Sequence, residues 1–140
     1  MLRAITARIV ADLRRIAGVG GGAGGDRKEF GRRGERDAER YLKRRGYRIL
    51  DRNFRAAGAE IDLIATEGGS LVFIEVKARR SVASGTPQEA VDERKQRRIR
   101  RAAEIYVARE RARDLPIRFD VVAILMNEGA AQIELVKDAF

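Results

Sequence analysis

The stretch Leu71-Val-Phe-Ile-Glu-Val-Lys-Ala-Arg79 constrains this chain more than any other. It is apolar enough for a central strand, yet its second half carries Glu75 and Lys77. Side chains alternate along a strand, so these two share one face. The preceding segment, Glu60-Ile-Asp-Leu-Ile-Ala-Thr66, likewise sets Asp62 between two apolar residues. Glu67-Gly-Gly-Ser70 joins the segments, and a Gly-Gly pair favours a two-residue hairpin turn. A turn at Gly68-Gly69 places residues whose numbers sum to 137 opposite one another. Asp62 then faces Glu75, and Glu60 faces Lys77, with which it can pair. Two carboxylates across a ladder, with Cβ atoms about 4.5–5.5 Å apart, repel unless a cation or proton intervenes. A divalent metal resolves the conflict. The alternatives are solvent-exposed strand ends, against which the flanking apolar residues argue, or neutralisation of Glu75 by Lys77 or an Arg.

The segments around this hairpin supply the rest of a domain. From about Arg27 to Arg45 the pattern is helical, with Phe30, Gly34, Ala38, Tyr41 and Leu42 as an inward stripe and Gly46 as a stop. Tyr47–Phe54, Glu60–Thr66 and Leu71–Arg79 read as three strands. Pro87 precedes a long helix, about Gln88–Arg113, with Val91, Ile99, Ala102, Ala103 and Tyr106 facing inward. Ile117–Met126 and Gln132–Val136 read as two further strands. The order αβββαββ predicts an α/β protein with a mixed central β-sheet flanked by helices. Two charged residues fall on or beside the helical stripes. Glu35 lies at the edge of the first, where it either looks toward the sheet as a third acid or pairs with Arg32 at the rim. Lys95 lies midway between Val91 and Ile99, where its stem can cover the core while its ammonium snorkels to water, the favoured reading for a lysine so placed.

Residues 1–17 place Ile5, Ile9, Leu13 and Ile16 at helical spacing, which predicts a short amphipathic helix or a disordered extension. They lack the long apolar region and cleavage site of a secretory signal, and contact with a membrane surface is a weaker reading. Residues 18–25 include six glycines and predict a flexible linker. A GxGxxG match there has no strand before it and is not a phosphate loop. The folded domain is therefore expected to span residues 26–140.

Composition now narrows the chemistry. Among 140 residues there is no His and no Cys, which removes Ser-His-Asp and Cys-His nucleophiles, Cys/His zinc sites and disulfides. Metal binding remains possible through oxygen ligands, which suit Mg²⁺ or Mn²⁺. The net charge of +9 favours an anionic partner, nucleic acid before membrane. Of the 30 cations 25 are Arg, which suits phosphate recognition and equally a genome rich in Arg codons. The excess is uneven: residues 26–57 and 94–115 each carry +6, whereas 58–93 carry −4. A metal site inside a phosphate-binding cradle needs that distribution, although two solvated helices around an ordinary sheet produce it too. No run of about 18 apolar residues predicts a membrane span, and a soluble, cytoplasmic protein is expected.

Together these segments resemble the small bacterial YraN-type family, similar in fold to restriction endonucleases and archaeal Holliday junction resolvases. Gly34-Glu35 with Ala38, Tyr41, Leu42 and Gly46-Tyr47 carries the likeness, followed by Arg52-Asn-Phe-Arg55, Glu60-Ile-Asp-Leu-Ile-Ala65 and Val72-Phe-Ile-Glu-Val-Lys-Ala-Arg79. Gly85, Pro87, Glu89-Ala-Val91, Lys95 and Arg118-Phe-Asp-Val-Val122 extend it. An Asp followed by Glu-x-Lys is degenerate alone; with these flanks in this order it is specific. One departure is Ala59, which stands where the family usually has Gly, so the place of Glu60 is less fixed than that of Asp62.

The resemblance implies a restriction-endonuclease-like core and a metal-dependent endonuclease acting on DNA, directed by structure such as a branch rather than by sequence. Asp62, Glu75 and the Val76 carbonyl would hold Mg²⁺ or Mn²⁺, with water in its shell as the nucleophile's source. Lys77 would stand beside the scissile phosphate, and Glu35 would join as the helix acid. Lys95, Arg79 and Arg98 are expected to hold backbone phosphates. A homodimer is implied by the resolvase-like relatives. The competing expectation is a nucleic-acid-binding or adaptor protein without turnover on the same fold.

Overall fold

The β-hairpin forms in the expected register. In this computed structural model, which describes residues 24–79, 93–127 and 130–140, Gly68 and Gly69 have φ of 58° and 80°. A two-residue turn of this kind needs positive φ at both positions, which glycine adopts without strain. The turn joins β2 (Ala59–Glu67) to β3 (Ser70–Arg79), pairing Glu67 with Ser70 and continuing to Leu63 with Ile74. β1 (Arg48–Ala56) pairs antiparallel with β2, β4 (Ile117–Asn127) parallel with β3, and β5 (Ala130–Val136) antiparallel with β4. The sheet is therefore mixed, with strand order β1-β2-β3-β4-β5. Helix α1 (Gly24–Arg44) precedes the first strand, and α2 (Glu93–Arg109) makes the crossover between the parallel strands.

Strand alternation divides the core in two. Phe73, Ile64 and Leu71 pack with Ile99, Ala102, Ala103 and Tyr106 of α2, whereas Val72, Ile74 and Ala65 pack with Ala38 and Leu42 of α1. Neighbouring residues of one strand point to opposite faces, so the helices cover opposite sides of the sheet. The chain is an α/β protein whose element order is consistent with a restriction-endonuclease-like fold.

Strand ends shift by one or two residues from the sequence reading, and each helix differs from it by more at one end. α1 begins at Gly24 rather than Arg27 and so takes in two glycines assigned to the linker. The first helical turn has unpaired N–H groups in any case, and its residues need not pack. α2 ends at Arg109 rather than Arg113, because Arg111 takes φ of 53° and the chain turns toward Pro116. Residues 1–23 and 88–92, and with them the expected amphipathic helix, most of the linker and Val91, lie outside the described residues. At the other end of α1, Gly46 and Tyr47 donate N–H groups to the carbonyls of Lys43 and Leu42, closing the helix and sending Tyr47 into the core.

Tyr47 leads to a buried ionic network at the turn end of the hairpin. Asp120 is fully buried on β4. Its carboxylate accepts from Tyr47 Oη at 2.8 Å, from Arg118 Nε and Nη2 at 2.8 and 2.9 Å, and from the Asp138 N–H at 2.9 Å. Arg118 also donates to Glu67 at 2.7 Å, and Lys137 reaches the same carboxylate at 3.1 Å. A buried charge persists when its lone pairs are satisfied in this way. Burial and the hydrogen bond to Asp120 push the Tyr47 hydroxyl well above its ordinary pKa.

Candidate metal centre

At the opposite end of the hairpin the local geometry gathers acids instead. Three features bring them together. First, α1 lies unusually close to β3: a Cβ on Gly34 would sit 2.6 Å from Ala78 Cβ, inside any tolerable contact. Only glycine allows that approach, and it carries Glu35 toward the sheet. Second, Ala57 and Gly58 turn β1 into β2 so that Glu60 enters near the strand's start. Third, simple alternation fails at Asp62. Ile61 packs toward α2, Leu63 toward α1, and Asn53 on the neighbouring strand has φ of 52°.

The β2–β3 ladder ends with Leu63 and Ile74, and the next pair is not joined by it. Asp62 therefore does not face Glu75 across a continued ladder. Its Oδ2 instead accepts the Val76 N–H at 2.7 Å, so a side chain replaces a strand neighbour there. In extended backbone the N–H and C=O of one residue point the same way, and the Val76 carbonyl faces the same gap. One carboxylate oxygen from each of Glu35, Glu60 and Asp62 lies within 4.8 Å of the other two. The inward reading of Glu35 describes its place.

Glu75 lies beside this cluster with its side chain 7% exposed, and lysines neutralise it. Lys95 Nζ donates to Glu75 Oε1 at 2.6 Å, and Lys77 Nζ stands 3.3 Å from the same oxygen. Lys95 thus does not snorkel away from the core edge; a buried carboxylate draws its ammonium inward. The expected Glu60–Lys77 pair does not form either. Glu60 pairs with Arg55 at 2.8 Å, because the strands part before residue 60 and Lys77 has the nearer Glu75.

Electrostatics follow from this crowding. Burial, with the Glu75 charge adding to it, pushes the Asp62 carboxyl up to about 8 against the restraint of the Val76 N–H. Glu35 is raised for the same reasons, burial first and then Glu60 and Glu75. Burial lowers the Lys77 ammonium although Glu75 opposes the shift. For Lys95 burial is outweighed by Glu75, and its pKa rises. The two lysines compete for one oxygen, and the closer one keeps its charge more firmly.

Asp62, Glu60 and Glu75 open into a cleft of about 530 Å³ whose other wall is Arg94, Lys95, Arg98 and Ile99 of α2. Of the cations expected to hold phosphate, Lys95 and Arg98 line it. Arg79 is not among the lining residues; it donates to the Ala78 carbonyl at 3.2 Å. Sequence reading left two contributors unassigned. Arg94 is one, since nothing distinguished it from its neighbouring arginines. Glu60 is the other, and the departure at Ala59 was the only sign that its strand enters differently.

Residues 34–124, which span nearly all of these elements, match the profile of the uncharacterised protein family UPF0102. The chain belongs to that family. A UPF0102 protein of Caldicellulosiruptor saccharolyticus is 46% identical over 117 residues, covering 82% of this chain and 99% of that protein. UPF0102 proteins of Geotalea uraniireducens and Geobacter sulfurreducens are 49% and 47% identical, covering 82% and 81% of this chain and 91% and 89% of theirs. The expected YraN-type membership is thereby established. The donor set of this UPF0102 chain suits a hard divalent cation: oxygen ligands only, convergent, and mutually repelling without one. Among the described residues no helix is long and apolar enough to cross a membrane.

Proposed function

We propose that this chain is a divalent-metal-dependent endonuclease hydrolysing phosphodiester bonds of DNA, directed by the shape of the nucleic acid. The observation that carries this reading is the convergence of Glu35, Glu60 and Asp62, the latter two lining a cleft whose other wall is cationic. Acids alone would repel a polyanion, and cations alone would bind it without chemistry. Their juxtaposition suits a phosphate held between a metal and arginines. A bound Mg²⁺ or Mn²⁺ would supply a water of lowered pKa and screen the phosphate charge.

The chain's own residues have separate tasks in this reading. Glu35, Glu60 and Asp62 hold the cation, and the Val76 N–H fixes the Asp62 carboxylate. Glu75 would add a further oxygen ligand once Lys95 releases it. Lys77, half-buried beside Glu75, stabilises charge that builds on the phosphate oxygens. Arg94 and Arg98 contact backbone phosphates, which position a strand without reading bases.

The test incubates the purified full chain with branched, single-stranded and duplex DNA in Mn²⁺, beside the double variant Asp62→Ala/Glu75→Ala. Metal-dependent cutting, strongest on one DNA shape and absent from the variant, is expected. Cutting that persists in the variant would identify a contaminant and remove the proposal. The neutralisation of Glu75 by Lys95 favours a second reading, nucleic-acid binding without turnover. It predicts salt-dependent binding, no cutting in any divalent metal, and affinity indifferent to Lys77→Ala.

A further inference from the structure

We infer that Lys95 is a positioning residue that competes with the metal for Glu75, holding the cleft in a resting arrangement until a cation displaces it. This rests on the metal-binding reading above and extends it to the control of that site. Glu75 is almost wholly buried, and such a carboxylate keeps its charge only beside a counter-charge. Lys95 and Lys77 both supply it, and both do so at Oε1. Only one of them can leave. Lys77 stands two residues away on the same strand with its side chain 18% exposed, whereas Lys95 is 37% exposed at the mouth of the cleft.

Lys95 also has somewhere to go. Its neighbours on the wall, Arg94 and Arg98, are one helical turn apart and mark a place where phosphate would lie. An incoming phosphate offers the Lys95 ammonium a second anion in exchange for Glu75. The released carboxylate then turns to the cation beside Glu35, Glu60 and Asp62. By linkage, whatever holds Lys95 away from Glu75 tightens metal binding, and bound metal makes Lys95 available to phosphate.

The experiment titrates metal-free full-length protein with Mn²⁺ by calorimetry, comparing wild type with Lys95→Met, Lys95→Arg and Arg94→Met. Lys95→Met keeps the apolar stem and removes the competing charge; it should bind Mn²⁺ at least about fivefold tighter. Lys95→Arg should restore wild-type affinity. Arg94→Met removes an equal charge from the same wall without touching Glu75 and should change affinity less than twofold, about the limit of such a comparison. Thermal unfolding confirms that each variant is folded, and Lys95→Gln replaces Lys95→Met if that protein does not fold. Equal tightening in Lys95→Met and Arg94→Met would reduce the effect to general electrostatics and overturn the inference. So would Mn²⁺ affinity in Lys95→Met no tighter than wild type. Tighter binding by Lys95→Met without DNA cutting by the wild type would sink the nuclease reading and leave this one standing. Absence of Mn²⁺ binding in every protein would sink both.

Discussion

The β2–β3 hairpin carries a charged cluster at each end, and the two differ in the number of donors each acid receives. At the turn end, Asp120 accepts from Tyr47, Arg118 and the Asp138 N–H, while Glu67 accepts from Arg118 and Lys137. At the open end four acids share as many partners as two acids have at the turn end. Asp62 has a single N–H, Glu60 has Arg55, and Glu75 shares one oxygen between two lysines. Satisfied charge is tolerated in a core and costly to break, whereas like charges held together cost stability, and such perturbed groups cluster at functional sites. The first cluster ties β4 and the C-terminal residues to the hairpin. The second leaves the Asp62 carboxyl pushed up to about 8, a displacement that bound metal would reverse.

The sharpest way to break this contrast is Asp120→Ala. It leaves Tyr47 and the Asp138 N–H without their carboxylate acceptor and the partly buried Arg118 guanidinium with Glu67 as its remaining anion, and should cost about 3–5 kcal/mol in urea unfolding. A loss below about 1 kcal/mol would place Asp120 with ordinary surface acids and remove the distinction. Gly34→Ala comes next. Its new methyl group meets Ala78 Cβ, which cannot yield without moving β3, so α1 must lift away. Overpacking of this kind costs about 1–3 kcal/mol, partly offset by the better helix propensity of alanine. Because the same displacement withdraws Glu35, Mn²⁺ affinity should fall along with stability. An unchanged affinity would show that Glu35 is not a ligand.

Asp62→Asn should act in the opposite direction from Asp120→Ala. A carboxyl raised in the folded state adds stability while it keeps its proton. That contribution is complete below the ordinary value of 3.8 and drains away as pH rises through about 8. Metal-free wild type should therefore lose stability across that window, and Asp62→Asn, which still accepts from Val76, should lose less. At pH 8 the variant should be the more stable by roughly 1–2 kcal/mol, with the difference gone near pH 4. Saturating Mn²⁺ should raise the melting temperature of the wild type and not that of the variant. A variant less stable than wild type at both pH values would mean that the Asp62 charge is needed by the fold.

Much of this was legible in the sequence, and the failures have a common cause. Local rules sufficed for the Gly68-Gly69 turn, the register that follows from it, and the helix stripes at Ala38, Leu42, Ile99 and Tyr106. They did not distinguish Asp62 from Asp120. Both are acids between apolar residues on a strand, yet one is crowded by acids and the other satisfied by Tyr47, 73 residues away in sequence. Pairing arithmetic also had no means of showing that the ladder stops at Leu63. That stop depends on the carboxylate of Asp62 itself taking the Val76 N–H, a contact that alternation and register do not contain.

The smallest expected effect lies between the two clusters, at Glu39. Arg52 reaches across from β1 to both of its oxygens, with Nε at 2.8 Å, and Lys43 adds an ion pair one helical turn along α1 at 2.8 Å. The Arg52 hydrogen bonds hold the Glu39 carboxyl down to about 2, so this acid is satisfied in the manner of Asp120. It differs in setting. Arg52 and Lys43 are more than half exposed, and water screens most of what the pKa displacement would otherwise represent. Its contribution is present above the ordinary value of 4.5 and lost as pH falls toward 2. Glu39→Gln should therefore cost about 0.5–1 kcal/mol at pH 7 and nothing near pH 2. In 1 M salt the pH 7 difference should shrink, since screened surface charges lose most of their attraction. A cost near that of Asp120→Ala, undiminished by salt, would mean that donor count alone sets the stabilisation; a small, salt-sensitive cost assigns the larger share at Asp120 to burial.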